Sequence, residues 1–378
     1  MHIERVELQR LQMPFKASFE ASFGRLAKRD LVLVSVYSSD GTVGYGESTS
    51  MALPLYNEET TETVWYMLEH FLIPKLLTAK ITSPAEVAEL FAPIRRNNMA
   101  KAALEGAVWD LYCKQQGISL AAGLGGQKQT IEVGVSIGIE PTVDLLLHKV
   151  EGFINQGYKK IKVKVKPGFD IEPMRAIRKQ FGSDVPLMAD ANSAYTMDQI
   201  DILKELDQFD LIMIEQPLAH DDIIDHAKLQ KELKTPICLD ESIHSLEDAR
   251  KAIEMGSCGI INIKVGRVGG LTESKKIHDL CQVHNIPVWC GGMFETGVGR
   301  AHNIAITSLP NFTIPGDTSA SDRYWTEDIV DPEVVLLEPG ILAVPTEPGI
   351  GYNLKPESVN KFLVRQENYS RQTVASVE

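Results

Sequence analysis

The chain has 378 residues, 44% hydrophobic and 24% charged, the make-up of an ordinary soluble globular protein with room for one large barrel domain and a smaller one. A net charge of -13 argues against nucleic acid or an anionic membrane as partner, since both need a basic surface. Five cysteines without a Cys-x-x-Cys pair disfavour a disulfide framework or a zinc knuckle; with no secretory-type N-terminus and no apolar run near the ~20 residues of a membrane helix, a cytoplasmic setting is expected.

Residues 1–128 read as a separate α+β unit. Ile3 to Leu11, Leu31 to Tyr37 and Thr42 to Glu47 have strand composition, and a Ser-Ser-Asp-Gly turn before the last makes an antiparallel meander the natural reading. Helical spacing follows in Glu58 to Ile73, Pro84 to Phe91 and Met99 to Gln116, where Gly117 supplies the stop. Gly123 to Gly126 reads as a linker.

From Thr130 the rhythm becomes strand, helix, strand. Eight strand candidates appear: Glu132 to Ile137, Ile161 to Val165, Leu187 to Asp190, Leu211 to Glu215, Ile237 to Asp240, Gly259 to Lys264, Val288 to Cys290 and Phe312 to Pro315. Thr196-x-x-Gln199 and Ser245-x-x-Asp248 mark helix starts between them. Eight strands alternating with helices give the count of a closed (β/α) barrel over residues 129–337. Residues from about 338 to 378 are expected to return to the first unit, with the last dozen frayed.

Four of these strands end in a charge at nearly constant spacing. Asp190, Glu215, Asp240 and Lys264 are separated by 25, 25 and 24 residues, one strand and one helix with their loops, so they fall at equivalent ends of consecutive parallel strands. One such acid would equally suit a helix cap; three in phase favour a site. Three carboxylates in one barrel mouth repel without a cation, and an oxygen-only set suits Mg²⁺ or another hard divalent ion such as Mn²⁺.

One interval earlier, Lys160 to Lys166 alternates lysine with Ile161, Val163 and Val165. If the apolar face meets the helices, Lys162 and Lys164 point into the barrel, where an unpaired ammonium is costly. Lys164 and Lys264 then stand four strands apart, on opposite walls of a ring of eight. That arrangement suits proton chemistry on a carbon next to a carboxylate. A lysine acts as base when its pKa falls from about 10.4 toward roughly 7 to 8, a differential cost near ~4 kcal/mol. Lys162 provides like-charge pressure, so Lys162 tunes and Lys164 reacts.

Lys162-Val163-Lys164, Asp190-Ala191-Asn192, Glu215-Gln216-Pro217, Asp240-Glu241-Ser242 and Lys264 together resemble the enolase superfamily, muconate-lactonising subgroup. A lysine base with Mg²⁺ stabilising an ene-diolate is that superfamily's established chemistry. Within it, the segments Val288 to Gly297 and Pro315 to Arg323 are similar to the o-succinylbenzoate synthase and N-acylamino acid racemase family. The resemblance implies a modified TIM barrel, (β/α)7β, under an α+β capping domain, and a homo-oligomer acting on a small-molecule carboxylate. It also implies Mg²⁺ on Asp190, Glu215 and Asp240, proton abstraction by Lys164 and enediolate stabilisation by Lys264. For a synthase the reaction would dehydrate 2-succinyl-6-hydroxy-2,4-cyclohexadiene-1-carboxylate to o-succinylbenzoate for menaquinone synthesis. In that case Lys164 also protonates the departing hydroxyl. For a racemase Lys264 would be the opposite-face base.

The family's lids map to Phe15 to Phe23 and Thr49 to Glu58. Tyr56, Ser136, Gly291, Gly292 and Met293 are then candidate substrate contacts, and Asn192 a substrate or supporting residue. Mandelate racemase relatives would carry a His at strand seven, and dipeptide epimerases an Asp-x-Asp where this chain has Asp317-Thr318-Ser319. Gly266 to Gly270 lacks the ending of a phosphate loop and reads as a strand-to-helix turn. The histidines have no metal-ligand spacing. A non-catalytic scaffold barrel is the reading of a different class, disfavoured because a scaffold need keep none of these five charged residues.

Overall fold

In the computed structural model, which describes residues 1–21 and 24–374, the N-terminal strands run far beyond their apolar centres. β1 (Ile3–Ala21) and β2 (Gly24–Ser38) pair antiparallel from Ile3↔Ser38 to Ala21↔Gly24, and β3 (Val43–Ser48) joins on the far side of β2. Val32, Val34 and Val36, β-branched and two apart, fall on one face and are fully buried against the helices. The stretch expected as a lid loop from Phe15 is therefore strand as far as Ala21. The ladder persists because Phe19 pairs with Leu26 and buries its ring; Phe23 lies outside the described residues.

The helix Asn98–Gln116 ends at Gly117, whose φ of 66° is the left-handed stop that glycine supplies. β3 lies directly on this helix. A Cβ at Gly44 would stand 2.1 Å from the Ala107 carbonyl oxygen and one at Gly46 2.0 Å from that of Ala103, so only glycine permits the approach. The expected linker near Gly123 is instead a short helix, Leu120–Leu124, because Ser119 caps it and Gly125 takes the left-handed end.

β4 (Thr130–Glu132) precedes a parallel run of seven strands: β5 (Val135–Ile137), β6 (Ile161–Lys164), β7 (Leu187–Asp190), β8 (Ile214–Glu215), β9 (Ile237–Leu239), β10 (Ile260–Ile263) and β11 (Val288–Cys290), each paired with its successor. Ile161, Val163 and Val165 are wholly buried in the core shared with the outer helices. The first barrel candidate, Glu132 to Ile137, is thus broken in two at Val133-Gly134.

The eighth, Phe312 to Pro315, is not a regular strand. Pro315 lacks an N–H for the ladder, and the segment closes the ring through single bridges, Val288↔Phe312 on one side and Val133↔Gly316 on the other. β12 (Val330–Asp331), β13 (Ile341–Ala343), β14 (Asn353–Leu354) and β15 (Leu363–Ser370) complete the chain, with β12 on β14, β13 on β4 and β15 on β1. Residues 367–370, expected to fray, are held in β15 by pairs such as Arg5↔Ser370.

Two buried acids bolt the N-terminal unit to the barrel. Glu47, in β3, accepts hydrogen bonds from Thr296 N, Thr296 Oγ1 and Gly299 N at the start of the helix Gly297–Thr307. Glu105 accepts from Leu271 N and Thr272 N at the start of the helix Leu271–Val283. Both place a carboxylate where a helix leaves its N–H groups unpaired. Among the described residues no helix is long and apolar enough to cross a membrane, and all five cysteines are free and buried.

Candidate active site

The parallel register brings the charged strand ends together. Lys164 pairs across the ladder with Asp190, and Asp190 with Glu215; Asp240 sits just beyond the end of β9 and Lys264 just beyond β10. Inward-facing positions alternate with the Ile-Val face, so the residues that feed the core also aim the lysines at the mouth.

Lys164 Nζ lies 2.5 Å from both Asp190 Oδ2 and Asn192 Oδ1. Lys162 Nζ reaches Asp317 Oδ2 at 2.6 Å, Asp190 Oδ2 at 3.2 Å and Glu215 Oε2 at 3.3 Å. Across the mouth, Lys264 Nζ is 2.8 Å from Asp240 Oδ2 and 3.2 Å from the Tyr56 hydroxyl, which donates to Asp240 Oδ1 at 2.9 Å. The Arg267 guanidinium also donates to Asp240 Oδ1 and anchors on Ile243 O. Five buried acids, Asp190, Glu215, Asp240, Glu241 and Asp317, thus meet five buried bases, Lys160, Lys162, Lys164, Lys264 and Arg267. The expected repulsion among the three strand-end acids is relieved by the chain's own cations. Among the described residues no three acid, His or Cys side chains are gathered as a finished cation cage.

The environment separates the lysines. Burial pushes the Lys164 ammonium below its ordinary pKa, and the charges of Lys162 and Lys264 add to the push, outweighing Asp190. Burial works against Lys162 too, yet Asp317, Glu215 and Asp190 together hold it well above. Lys264 is also raised despite burial, by Tyr56 and by the buried acids Glu241 and Glu215. Burial, then the neighbouring charge of Asp190, drives Glu215 up, while Asp190 overcomes its own burial through Lys164 and Lys162 and stays low. Two adjacent carboxyls are pushed apart in the same small volume.

The donor set fits a hard divalent cation. Asp190, Glu215 and Asp240 offer oxygen only, and among the described residues the buried Asp240 Oδ2 meets just the Lys264 ammonium, at 2.8 Å, its other oxygen being held by Tyr56 and Arg267. Glu241 Oε2 is buried without a hydrogen bond among the described residues, and its partner oxygen accepts from Asn192 Nδ2 at 2.8 Å. Burial and the charge of Asp190 still drive Glu215 up against the pull of the lysines, and a divalent cation here would offset them further.

Ser136, Asn192, Tyr56, Gly292 and Met293 line the cavity above these groups, with Lys162, Lys164, Lys264 and Asp317 as its floor. Gly291 does not reach it; its N–H donates to Asn262 Oδ1 at 2.8 Å. Four of the eight non-glycine residues with positive φ among the described residues lie here: Asn192 (42°), Ser193 (63°) and Gln216 (37°) at the ends of β7 and β8, and Phe294 (60°) after β11. Each costs of order 1–3 kcal/mol, which marks an over-determined site.

Several residues were not found from the sequence. Phe294 and Tyr324 form an aromatic wall with Phe19, whose ring lies 5.0 Å from that of Phe294. Both stand in or next to the segments that carried the resemblance, without a periodic signal to single them out. Lys160 is wholly buried with Nζ 3.4 Å from the Trp289 ring centre and 3.2 Å from Asp317 Oδ1. Arg267 stands in the stretch read as a plain turn. That stretch is a short helix, Val265–Val268, followed by glycines at φ 97° and 129°, and it delivers the guanidinium to Asp240.

Residues 146–358 match the family described as enolase C-terminal domain-like, and residues 4–125 match the mandelate racemase/muconate lactonizing enzyme N-terminal domain. The chain belongs to the enolase superfamily, in the family of the o-succinylbenzoate synthases and N-succinylamino acid racemases. It is 58% identical over 362 residues to an o-succinylbenzoate synthase of Geobacillus kaustophilus, covering 96% of each chain. It is 48% identical to an N-succinylamino acid racemase of Amycolatopsis sp, covering 96% of this chain and 97% of that one. A crystal structure of an enolase superfamily member from Listeria innocua superposes with a TM-score of 0.95 at 45% identity, covering 98% of this chain and all (100%) of the other. Enzymes of this superfamily generally depend on a divalent metal.

Proposed function

We propose that the chain is an o-succinylbenzoate synthase, dehydrating 2-succinyl-6-hydroxy-2,4-cyclohexadiene-1-carboxylate, in the cytoplasm and as a homo-oligomer. The observation that carries the reading is the pair of buried amines on opposite walls, Lys164 depressed and Lys264 raised, on either side of three strand-end acids.

In this reading neutral Lys164 accepts the proton from the carbon next to the substrate carboxylate. Lys162 is held charged by Asp317, Asp190 and Glu215 and does not compete for it. Lys164, now an ammonium, returns the proton to the hydroxyl on the neighbouring carbon, which leaves as water while the ring becomes aromatic. Lys264, anchored on Asp240 and Tyr56, keeps its positive charge facing the substrate carboxylate throughout. Asp190, Glu215 and Asp240 would hold Mg²⁺, which when bound takes up negative charge accumulating on the carboxylate oxygens. Residues 129–337 serve as the catalytic barrel, and 1–128 with the tail from about 338 as the cap.

Racemisation of N-succinylamino acids is the second activity supported, because Lys264 sits where a proton can be delivered to the opposite face. Both reactions begin with the same proton removal. The test is to assay both substrates side by side and to follow deuterium entry at the α-carbon of an N-succinylamino acid in D₂O, with and without Mg²⁺. Mg²⁺-dependent dehydration and exchange are expected. If neither substrate reacts and no carboxylate exchanges, the scaffold reading takes over.

A further inference from the structure

Asn262 lies on β10, two residues before Lys264, and is fully buried. Its Nδ2 donates to Glu215 Oε1 at 2.6 Å, and its Oδ1 accepts from Gly291 N at 2.8 Å. The orientation of the amide is forced, because a carboxylate can only accept and a backbone N–H can only donate. Of the side chains this size, only asparagine offers one donor and one acceptor on the same planar group. Aspartate would turn a second carboxylate on Glu215, and leucine would leave both partners unpaired.

The space around this bridge is filled. A Cβ on Gly291 would stand 2.5 Å from Asn262 Nδ2, 2.6 Å from its Oδ1 and 2.7 Å from Lys264 Cε. The backbone after β11 therefore presses against the amide and the Lys264 stem together, which is why Gly291 occupies that position although it does not line the cavity. Glu215 Oε2 is left toward Lys162 and the mouth, and Oε1 is fixed from behind.

Resting on the metal site in the function proposed above, we infer that Asn262 is a positioning residue: it fixes the Glu215 carboxylate for the divalent cation and ties it to the loop after β11. Groups that orient a metal-binding carboxylate from behind are commonly worth about 10–100-fold in metal affinity. Neither the sequence motifs nor the strand-end spacing single this residue out.

The experiment measures Mn²⁺ binding without substrate, by electron paramagnetic resonance of free Mn²⁺, on the full chain and on Asn262→Leu and Asn262→Asp. Cys281→Ala, a buried change on the helix Leu271–Val283, serves as a control for general loosening. Expected are an approximately 10–100-fold weaker Mn²⁺ site in Asn262→Leu and an unchanged site in Cys281→Ala. At saturating cation, kcat of Asn262→Leu should recover more fully than its cation affinity does. If Asn262→Leu does not fold, Gly291→Ala pushes the same amide out of place and should weaken Mn²⁺ in the same direction. Variants that bind Mn²⁺ within twofold of the parent overturn the inference while leaving the function standing. A parent chain with no Mn²⁺ site overturns the proposed function itself.

Discussion

The floor and the roof of the cavity are built on opposite plans. On the floor, strand-borne side chains hold one another: Lys164 on Asp190, Lys162 on three acids, Lys264 on Asp240, each pair buried and within ion-pair distance. The roof, from Phe19, Met51 and Tyr56 of the N-terminal unit, is mainly apolar, and the Tyr56 hydroxyl is the one polar group these three bring to the cavity. Charge placed on rigid strands suits bond making, whereas a greasy cover suits selecting and enclosing a ligand. Floor substitutions should therefore act on kcat and cation affinity, and roof substitutions on KM.

The harshest break is Lys164→Ala, expected to lower kcat by about 10⁴-fold for both reactions while Mn²⁺ still binds. An active variant would remove Lys164 from its role. Next, Asp240→Asn should weaken Mn²⁺ by roughly 100-fold or more, measured by the same resonance assay; unchanged binding would take Asp240 out of the site.

The pH profile sharpens the floor further. Because a base must be neutral to work, kcat/KM should rise with pH through the Lys164 pKa, which lies below that of an ordinary lysine. Lys162→Met removes a like charge, so the rise should move to higher pH; a shift to lower pH would contradict the tuning role. On the roof, Tyr56→Phe is expected to raise KM by about 3–10-fold with little change in kcat, the value of one hydrogen bond. A large kcat loss there would erase the contrast between the two walls.

What the sequence disclosed follows the same divide. The strand-end acids and lysines were legible because strand and helix repeat at a fixed interval, and the lysine alternation because a strand's side chains alternate by geometry. Helix ends at Gly117 and Ser245 were legible because caps are local. Arg267 and Asn262 were not, since their importance comes from meeting Asp240 and Glu215, distant in sequence, and nothing in their neighbourhood announces it. Asp317 stood in a segment quoted for its resemblance, but its grip on Lys160 and Lys162 exists only once the ring closes. The eighth stave was over-read as a regular strand: a β-like composition hid that it ends in Pro315 and closes the ring through single bridges only.

The glycines of β3 leave no cushion of side chains between that strand and the helix beneath it, and this helix is in turn fastened to the barrel through Glu105. A platform so seated carries its roof with it: Met51 and Tyr56, which follow β3 directly, stand over the barrel mouth they line.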